Sequence, residues 1–349
     1  MPRTSCLPRP LVVGVVLVLL GAALSGCGLR GAGQAGGASS FTLRFSHVVS
    51  PSTPKGQAAL RFEQLVEQRS GGRIAVEIYP NSELFGDEDE LQGLQSGAVQ
   101  ALAPASAKFT TIAPRLQVLD LPFLFRDVAD IPRVASPDTP VGRAIFANPE
   151  LARRDMEVLE LWDNGLKQLS ANNRIVRAQD MAGLRFRIQP SSVLRAQFAA
   201  WGAQSTPLSF SEVYTALQQG LIDGQENPWS NIESQKMHTV QRFITESDHG
   251  YVGYVLVMNR PFLESLPPDL QRVVRDAATE SARFNREVAA RINAEAKREI
   301  AAAGTTTIVE PTPAERAALE ASVVPRVWQE TAPVIGQDVI DQLLAERRR

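Results

Sequence analysis

From Pro268 to Ala303 the chain runs without an internal glycine, and with no proline past the first position. A helix-favouring stretch of that length, closed by Gly304, spans roughly 54 Å at about 1.5 Å per residue. That is longer than one small domain is wide, so a helix there braces two domains from behind. The other reading is a pair of helices that break near Phe284 and Asn285. Chain length points to two domains as well, because 349 residues exceed what one hydrophobic core usually organises. No internal repeat is visible.

The N-terminal segment has its own logic. Arg3 and Arg9 precede an unbroken apolar run, LVVGVVLVLL at residues 11–20, and small residues follow. Basic, apolar and small segments in that order make a secretory signal. An uncleaved membrane anchor is the alternative, but the apolar stretch 11–26 has only 16 residues, short of the roughly 20 that a spanning helix needs. The signal ends in LSGC, residues 24–27, and Cys6 inside it is the only other cysteine. The mature chain therefore has no disulfide, although its compartment permits one. Residues 28–40 are rich in Gly, Ala and Ser, as a flexible tether is. Setting aside the 26-residue leader with its two arginines leaves 34 basic and 38 acidic side chains, a net charge of −4. No basic stripe suggests nucleic acid.

Hydrophobic patterning alternates between strand and helix. Strands are expected at residues 41–45, 74–79, 99–103, 156–162, 184–188 and 251–258. Helices are expected at 53–69, with Pro54 near its first turn and Gly71-Gly72 as its stop, and at 191–201 and 211–219. GDEDELQGLQSG reads as a short helix whose acids suit the macrodipole. VLDLPFLF reads as a buried connector. The alternation implies an α/β fold with largely parallel sheets.

Enzyme chemistry is poorly represented. His47, His238 and His249 are the only histidines, and HExxH, GxSxG and P-loop patterns are absent. Ser52-Thr53-Pro54-Lys55 matches SxxK of serine acylases, but the companion KTG is missing. A polar helix start with proline at its first position explains the same residues. Asp223 and Glu226 are a weak metal signal, since two carboxylates so close make an incomplete ligand set. The chain is therefore expected to be no enzyme, with neither metal nor cofactor.

The positive signal lies in GLRFRIQP and ALQQGLIDGQENPWS. On a strand, Arg185 and Arg187 face one side and Phe186 the other. A guanidinium in a partly dry cleft grips a carboxylate through two parallel bonds. A surface ion pair is the plainer use of such an arginine. Lys167 stands on a neighbouring segment, and Asn227 can both donate and accept. Pro228 starts a helix whose N-terminal amides favour an anion, and Trp229 reads as packing there.

Taken with LRFSH, SGGRIAVEIYPNSELFGDEDELQGLQSGAVQ, LDLPFLF, PLSFSEVYTALQQGLIDGQENPWSNI and YVLVMN, these motifs resemble the DctP-type substrate-binding proteins of TRAP transporters (tripartite ATP-independent periplasmic transporters). The likeness covers nearly the whole mature chain. It implies a two-lobed periplasmic-binding-protein fold with a cleft between domains and the long helix behind. Expected bounds are a signal peptide at 1–26, a lipidated tether at 27–40, a first domain at 41–163 plus about 254–290, and a second at 164–253 plus about 291–349. LSGC resembles a bacterial lipobox, which makes Cys27 the lipidated first residue of a protein held at the cell envelope, in the periplasm.

The implied function is capture of a small organic acid, a sugar acid among the options, and delivery to the small and large membrane subunits of the permease. By resemblance, Arg187 grips the carboxylate, Asn227 assists and Phe210 walls the pocket. Lys167 in GLKQ stands where sialic-acid members carry arginine, and Ala105 in ASAKF where they carry glutamate. Both departures weigh against sialic acid. His47, Trp162, Asn164 and Trp229 are candidate wall residues. An ABC-type binding protein shares the bilobal shape without these motifs, and a serine acylase is the remote enzyme alternative.

Overall fold

The structure is a computed structural model that describes residues 41–347. The expected leader, the tether and Cys27 lie outside the described residues. Strand β1 (Phe41–Ser46) leads into helix α1 (Pro54–Ser70), capped by the Thr53 hydroxyl, which accepts from the Gly56 N–H at 3.2 Å. Gly71, at φ 63°, ends it. Gly56 has to be glycine, because a Cβ there would lie 2.5 Å from the Pro51 backbone. This tight first turn places Lys55 inward, where it is 1 % exposed.

Strand β2 (Ile74–Tyr79), helix α2 (Glu90–Gln95) and the short β3 (Ala101–Leu102) complete the first lobe's edge. Then come β4 (Met156–Ala171), β5 (Arg185–Ile188), α3 (Ser192–Ala200), β6 (Gln204–Pro207), α4 (Val213–Gln218), β7 (Gly224–Asn227) and α5 (Trp229–Ser234). Strand β8 (Phe243–Asn259), helix α6 (Pro268–Ala303) and β9 (Thr307–Val309) follow. Helices at Pro313–Ala321, Arg326–Ile335 and Gln337–Arg347 close the described chain, and the middle one packs on α3 and on the 3-10 turn Pro114–Asp120.

One sheet holds all nine strands in the order β2-β1-β3-β8-β4-β7-β5-β6, with β9 beside β8. At each end the neighbours are parallel, β2-β1-β3 in one lobe and β7-β5-β6 in the other. The expectation of a largely parallel sheet fails at the centre, where β3, β8, β4 and β7 pair antiparallel. Strands β4 and β8 have 16 and 17 residues, roughly 55 Å at about 3.3 Å each. Each runs through both lobes, one carrying the chain across and the other bringing it back. Both extend well beyond 156–162 and 251–258, because NGLKQLSA and FITESDHG are too polar to read as strand.

The crossing strands bend where the lobes join. Their register slips between Asp163 and Gly165, and Gly165 has φ 132°. Helix α6 braces that bend unbroken. The apolar face Leu270, Val274, Ala277, Ala278 and Ala282 packs on the first lobe, and Ala296 and Ile300 lie in a separate core with Trp229 and Ile232. The break near Phe284 and Asn285 does not occur, since buried Asn285 is used as a tie. Its Oδ1 accepts from the Asp163 N–H at 2.5 Å, and its Nδ2 donates to the Pro54 carbonyl at 3.3 Å. One turn pair further on, Asn293 Nδ2 donates to the Asn164 carbonyl at 2.6 Å and Oδ1 accepts from the Ser230 N–H at 3.0 Å. The helix thus fixes α1, the bend of β4 and the start of α5, the three places that aim side chains between the lobes. Smaller departures are local. Residues 211–219 divide into a 3-10 turn, Phe210–Glu212, and α4.

Candidate functional site

The pleat of β5 puts its two arginines on one face, and their partners give them different environments. Arg185 is half exposed and forked onto Asp223, with Nε to Oδ2 at 3.0 Å and Nη2 to Oδ1 at 2.9 Å. Phe186 turns the other way and stacks on Phe198. Arg187 is 2 % exposed. Its Nε and Nη2 both donate to the Leu208 carbonyl, at 2.9 and 2.7 Å, which fixes the plane of the guanidinium. Burial pushes its pKa down, and Asp87, Glu226 and Glu212 are the acids that oppose this. Among the described residues none of these is ion-paired to it.

The first lobe faces it with two more buried cations. Lys55 donates to the Ala103 carbonyl at 3.1 Å and lies 4.0 Å over the Tyr254 ring. Burial brings its pKa down to about 8. Lys108 pairs with Asp87 at 3.0 Å, both nearly solvent-free. Asp87 also accepts from the Phe210 N–H at 2.6 Å, so one carboxylate joins the first lobe to the 3-10 turn of the second. Burial raises the Asp87 carboxyl, but Lys108 and that N–H more than offset it and leave it below its ordinary value.

Several polar atoms here are buried with no hydrogen-bond partner among the described residues. They are both Glu90 oxygens, both His47 ring nitrogens, Ser46 Oγ, Trp162 Nε1, Asn164 Nδ2 and Asn231 Oδ1. An orphaned buried group costs about 1–3 kcal/mol, so a cluster of them marks a place built to receive something polar. His47 is held neutral, its pKa brought down to about 3 by burial and then by Lys55. Phe45 joins His47 and Trp162, lying edge-on to one and stacked on the other. Near the rim, a cavity of about 490 Å³ is lined by Asp87, Lys108, Thr110, Ser192, Arg195 and Leu208. A larger open groove of about 760 Å³ between α1 and α6 holds none of these groups, and there Arg61 pairs with Glu280.

Strand β7 adds an amide relay. Asn227 Nδ2 donates to Gln225 Oε1 at 2.6 Å, and Asn227 Oδ1 accepts from Asn231 Nδ2 at 3.0 Å. Phe210 is buried in a cluster with Val48, Val213 and Trp229. Lys167 has a partner inside the protein. Its Nζ lies 2.7 Å from Glu226 Oε1, while Glu226 Oε2 lies 2.7 Å from His249 Nε2, and all three are buried. Burial pushes Glu226 up, but Lys167 and His249 hold it down at about 2. Asp223 and Glu226 are thus each committed to a cation, and no group of three or more metal-ligating side chains occurs among the described residues.

The SxxK pair is not assembled. Ser52 is exposed and bonded to Ser50 at 2.9 Å, while Lys55 points into the core. Sequence reasoning missed Lys55, Asp87, Glu90, Lys108, Asn231 and Tyr254. For Lys55 the signal was present in STPKG, where a small residue after the lysine forces that turn against the chain.

Buried cations and orphaned polar atoms converging from two lobes define a receptor for a small anion. The model of bacterial extracellular solute-binding protein family 7, DctP, matches residues 45–332. The chain is 42 % identical over 301 residues to the C4-dicarboxylate-binding periplasmic protein DctP of Rhodobacter capsulatus, covering 86 % of this chain and 89 % of that one. It is similar to a TRAP periplasmic solute-binding protein of Shewanella oneidensis with bound succinate, at TM-score 0.83 and 42 % identity, covering 87 % and 98 % of the two chains. A Pseudomonas aeruginosa TRAP protein with bound L-malate aligns at TM-score 0.80 and 39 % identity, covering 83 % and 99 %.

The chain belongs to the DctP family. It is a two-lobed extracytoplasmic solute receptor of the TRAP class, and the ABC and acylase alternatives do not stand. No helix among the described residues is long and apolar enough to cross a membrane.

Proposed function

We propose that this receptor captures a short dicarboxylate between its lobes and hands it to the small and large membrane subunits of a TRAP permease. One observation carries the reading. Three cations with buried side chains face the same compartment, Arg187 from the second lobe and Lys55 and Lys108 from the first, with Asp87 and Glu90 as the carboxyls between them, while Glu226 is paired with Lys167 and Glu212 lies at the surface. One ligand carboxylate meets Arg187, with Asn227 beside it, and the other meets Lys55 and Lys108. Phe210, Trp162, His47 and Asn164 form the walls, the last three supplying polar atoms that lack partners. Lys167 stands behind this contact and holds Glu226. The succinate and L-malate in the related structures support a ligand of this size.

The lobes are assigned as 41–163 plus about 254–290, and 164–253 plus about 291–349, with the bend at Gly165 as hinge. Cys27 is assigned as the lipidated first residue of the mature protein, which mass spectrometry of the native protein tests directly. A mature form that starts elsewhere rules out the anchor and leaves the receptor reading intact.

Calorimetry with succinate, L-malate, butyrate and β-D-galacturonate tests the ligand class. Butyrate keeps the four-carbon chain and one carboxylate. Losing one buried charge partner costs roughly 2–5 kcal/mol, so butyrate should bind at least about 30-fold more weakly than succinate. Equal affinities for the two would overturn the dicarboxylate reading.

A further inference from the structure

Glu90 is the one carboxylate of this compartment with no assigned work. It opens α2, is 1 % exposed, and neither oxygen has a hydrogen-bond partner among the described residues. The charged groups around it come from every neighbouring element. Lys55 stands on α1, Asp87 on its own loop and Lys108 on the turn Ser106–Phe109. Tyr254 on β8 is also near, and Arg187 and neutral His47 lie one layer further out. Lys167 and Glu226 cancel each other.

Charge balance then assigns its state. Lys55, Lys108 and Arg187 supply three positive charges and Asp87 one negative. A dicarboxylate supplies two more negative charges. The filled compartment is neutral only when Glu90 is uncharged, and an uncompensated buried charge is among the costliest features a protein can carry.

We propose that Glu90 is the proton-holding member of the site: with a dicarboxylate bound it is a neutral carboxyl that donates its O–H to a ligand oxygen, and ligand and proton are taken up together. This rests on the dicarboxylate reading above. The O–H bond stays on Glu90, and the proton comes from solvent. Burial, and then Asp87, already raise this carboxyl to about 8 in the unliganded protein, and two further negative charges raise it more. Affinity for the dianion should therefore be level below about pH 8 and fall by up to about tenfold per pH unit above it. The gain is selectivity by charge, since a monoanion leaves the compartment positive and a trianion leaves it negative.

Lys55 also titrates at about 8, so the affinity profile alone does not separate the two groups. Carbon-13 NMR of the glutamate side-chain carboxyls does, in the mature protein with succinate and with L-malate. The resonance absent from Glu90→Gln identifies Glu90. It should titrate near pH 8 in the free protein and stay at the neutral-carboxyl position at that pH once succinate is bound. Glu90→Gln cannot take up a proton, so calorimetry of succinate binding near pH 8 in buffers of different ionisation enthalpy should show less proton uptake than wild type, and equal uptake by the two proteins would overturn the proposal. An ionised Glu90 in the succinate complex at pH 8 overturns the proposal and leaves the dicarboxylate reading standing. Failure of both succinate and L-malate to bind overturns that reading, and this proposal with it.

Discussion

Replacing Arg187 by alanine removes a guanidinium that is 2 % exposed and held by two bonds to the Leu208 carbonyl. Two costs follow, and they fall on different quantities. The ligand carboxylate loses its charge-assisted partner while the rest of the site still desolvates it, which costs roughly 2–5 kcal/mol in binding. At about 1.4 kcal/mol per decade this is on the order of 30-fold to several thousand-fold in affinity. The Leu208 carbonyl loses both donors, which costs the fold about 1–3 kcal/mol. Arg187→Lys should recover part of each, because an ammonium can bond the carbonyl or the ligand but cannot form the planar fork. Arg185→Ala is the control on the same strand. Its guanidinium is half exposed and committed to Asp223, so affinity should stay within about twofold of wild type. Calorimetry with succinate on the three variants, with circular dichroism for folding, decides the matter. A folded Arg187→Ala protein with wild-type affinity would refute the reasoning, and so would an Arg185→Ala loss as large as that at Arg187.

Lys167→Gln should act on stability more than on affinity, because it leaves Glu226 buried with only His249. A loss of about 3–5 kcal/mol is expected by denaturant unfolding, and an affinity loss matching that of Arg187→Ala would show that Lys167 meets the ligand. Glu226 is held at about 2 against an ordinary 4.5, so its contribution is complete above pH 4.5 and lost as pH falls towards 2. Thermal melts across that window should show roughly 3 kcal/mol of acid destabilisation that Glu226→Gln lacks, and parallel profiles would contradict it. Asn285→Ala should cost about 1–3 kcal/mol by leaving the buried Asp163 N–H without its acceptor. Unchanged stability there would mean that the helix needs no such tie.

The features with a local period were legible in the sequence. Helix α6 showed as an uninterrupted pattern with its Gly304 stop, and the alternation of Arg185, Phe186 and Arg187 already separated the two arginines from the phenylalanine. The difference between those arginines was not legible, since it depends on Asp223 reaching one and Leu208 the other. The lengths of β4 and β8 were hidden for a related reason. Their middle residues, Asp163, Asn164, Lys167, Ser247 and His249, are polar and buried because they are satisfied across the sheet or face the compartment. Lys55 and Glu90 stand in the first turns of helices; Gly56 is the one local sign that Lys55 turns inward, and nothing local distinguishes Glu90 from a solvated acid at a helix start. Only the approach of α1, α2 and β8 to one another makes them a site.

The most direct test of the account is a crystal structure of the mature protein with succinate. One carboxylate should lie within hydrogen-bond distance of the Arg187 guanidinium and Asn227, and the other within reach of the Lys55 and Lys108 ammonium groups, with the carbon chain against Trp162 and Phe210. Succinate bound with Arg187 still contacting only the Leu208 carbonyl, or bound outside the space between the lobes, would contradict it.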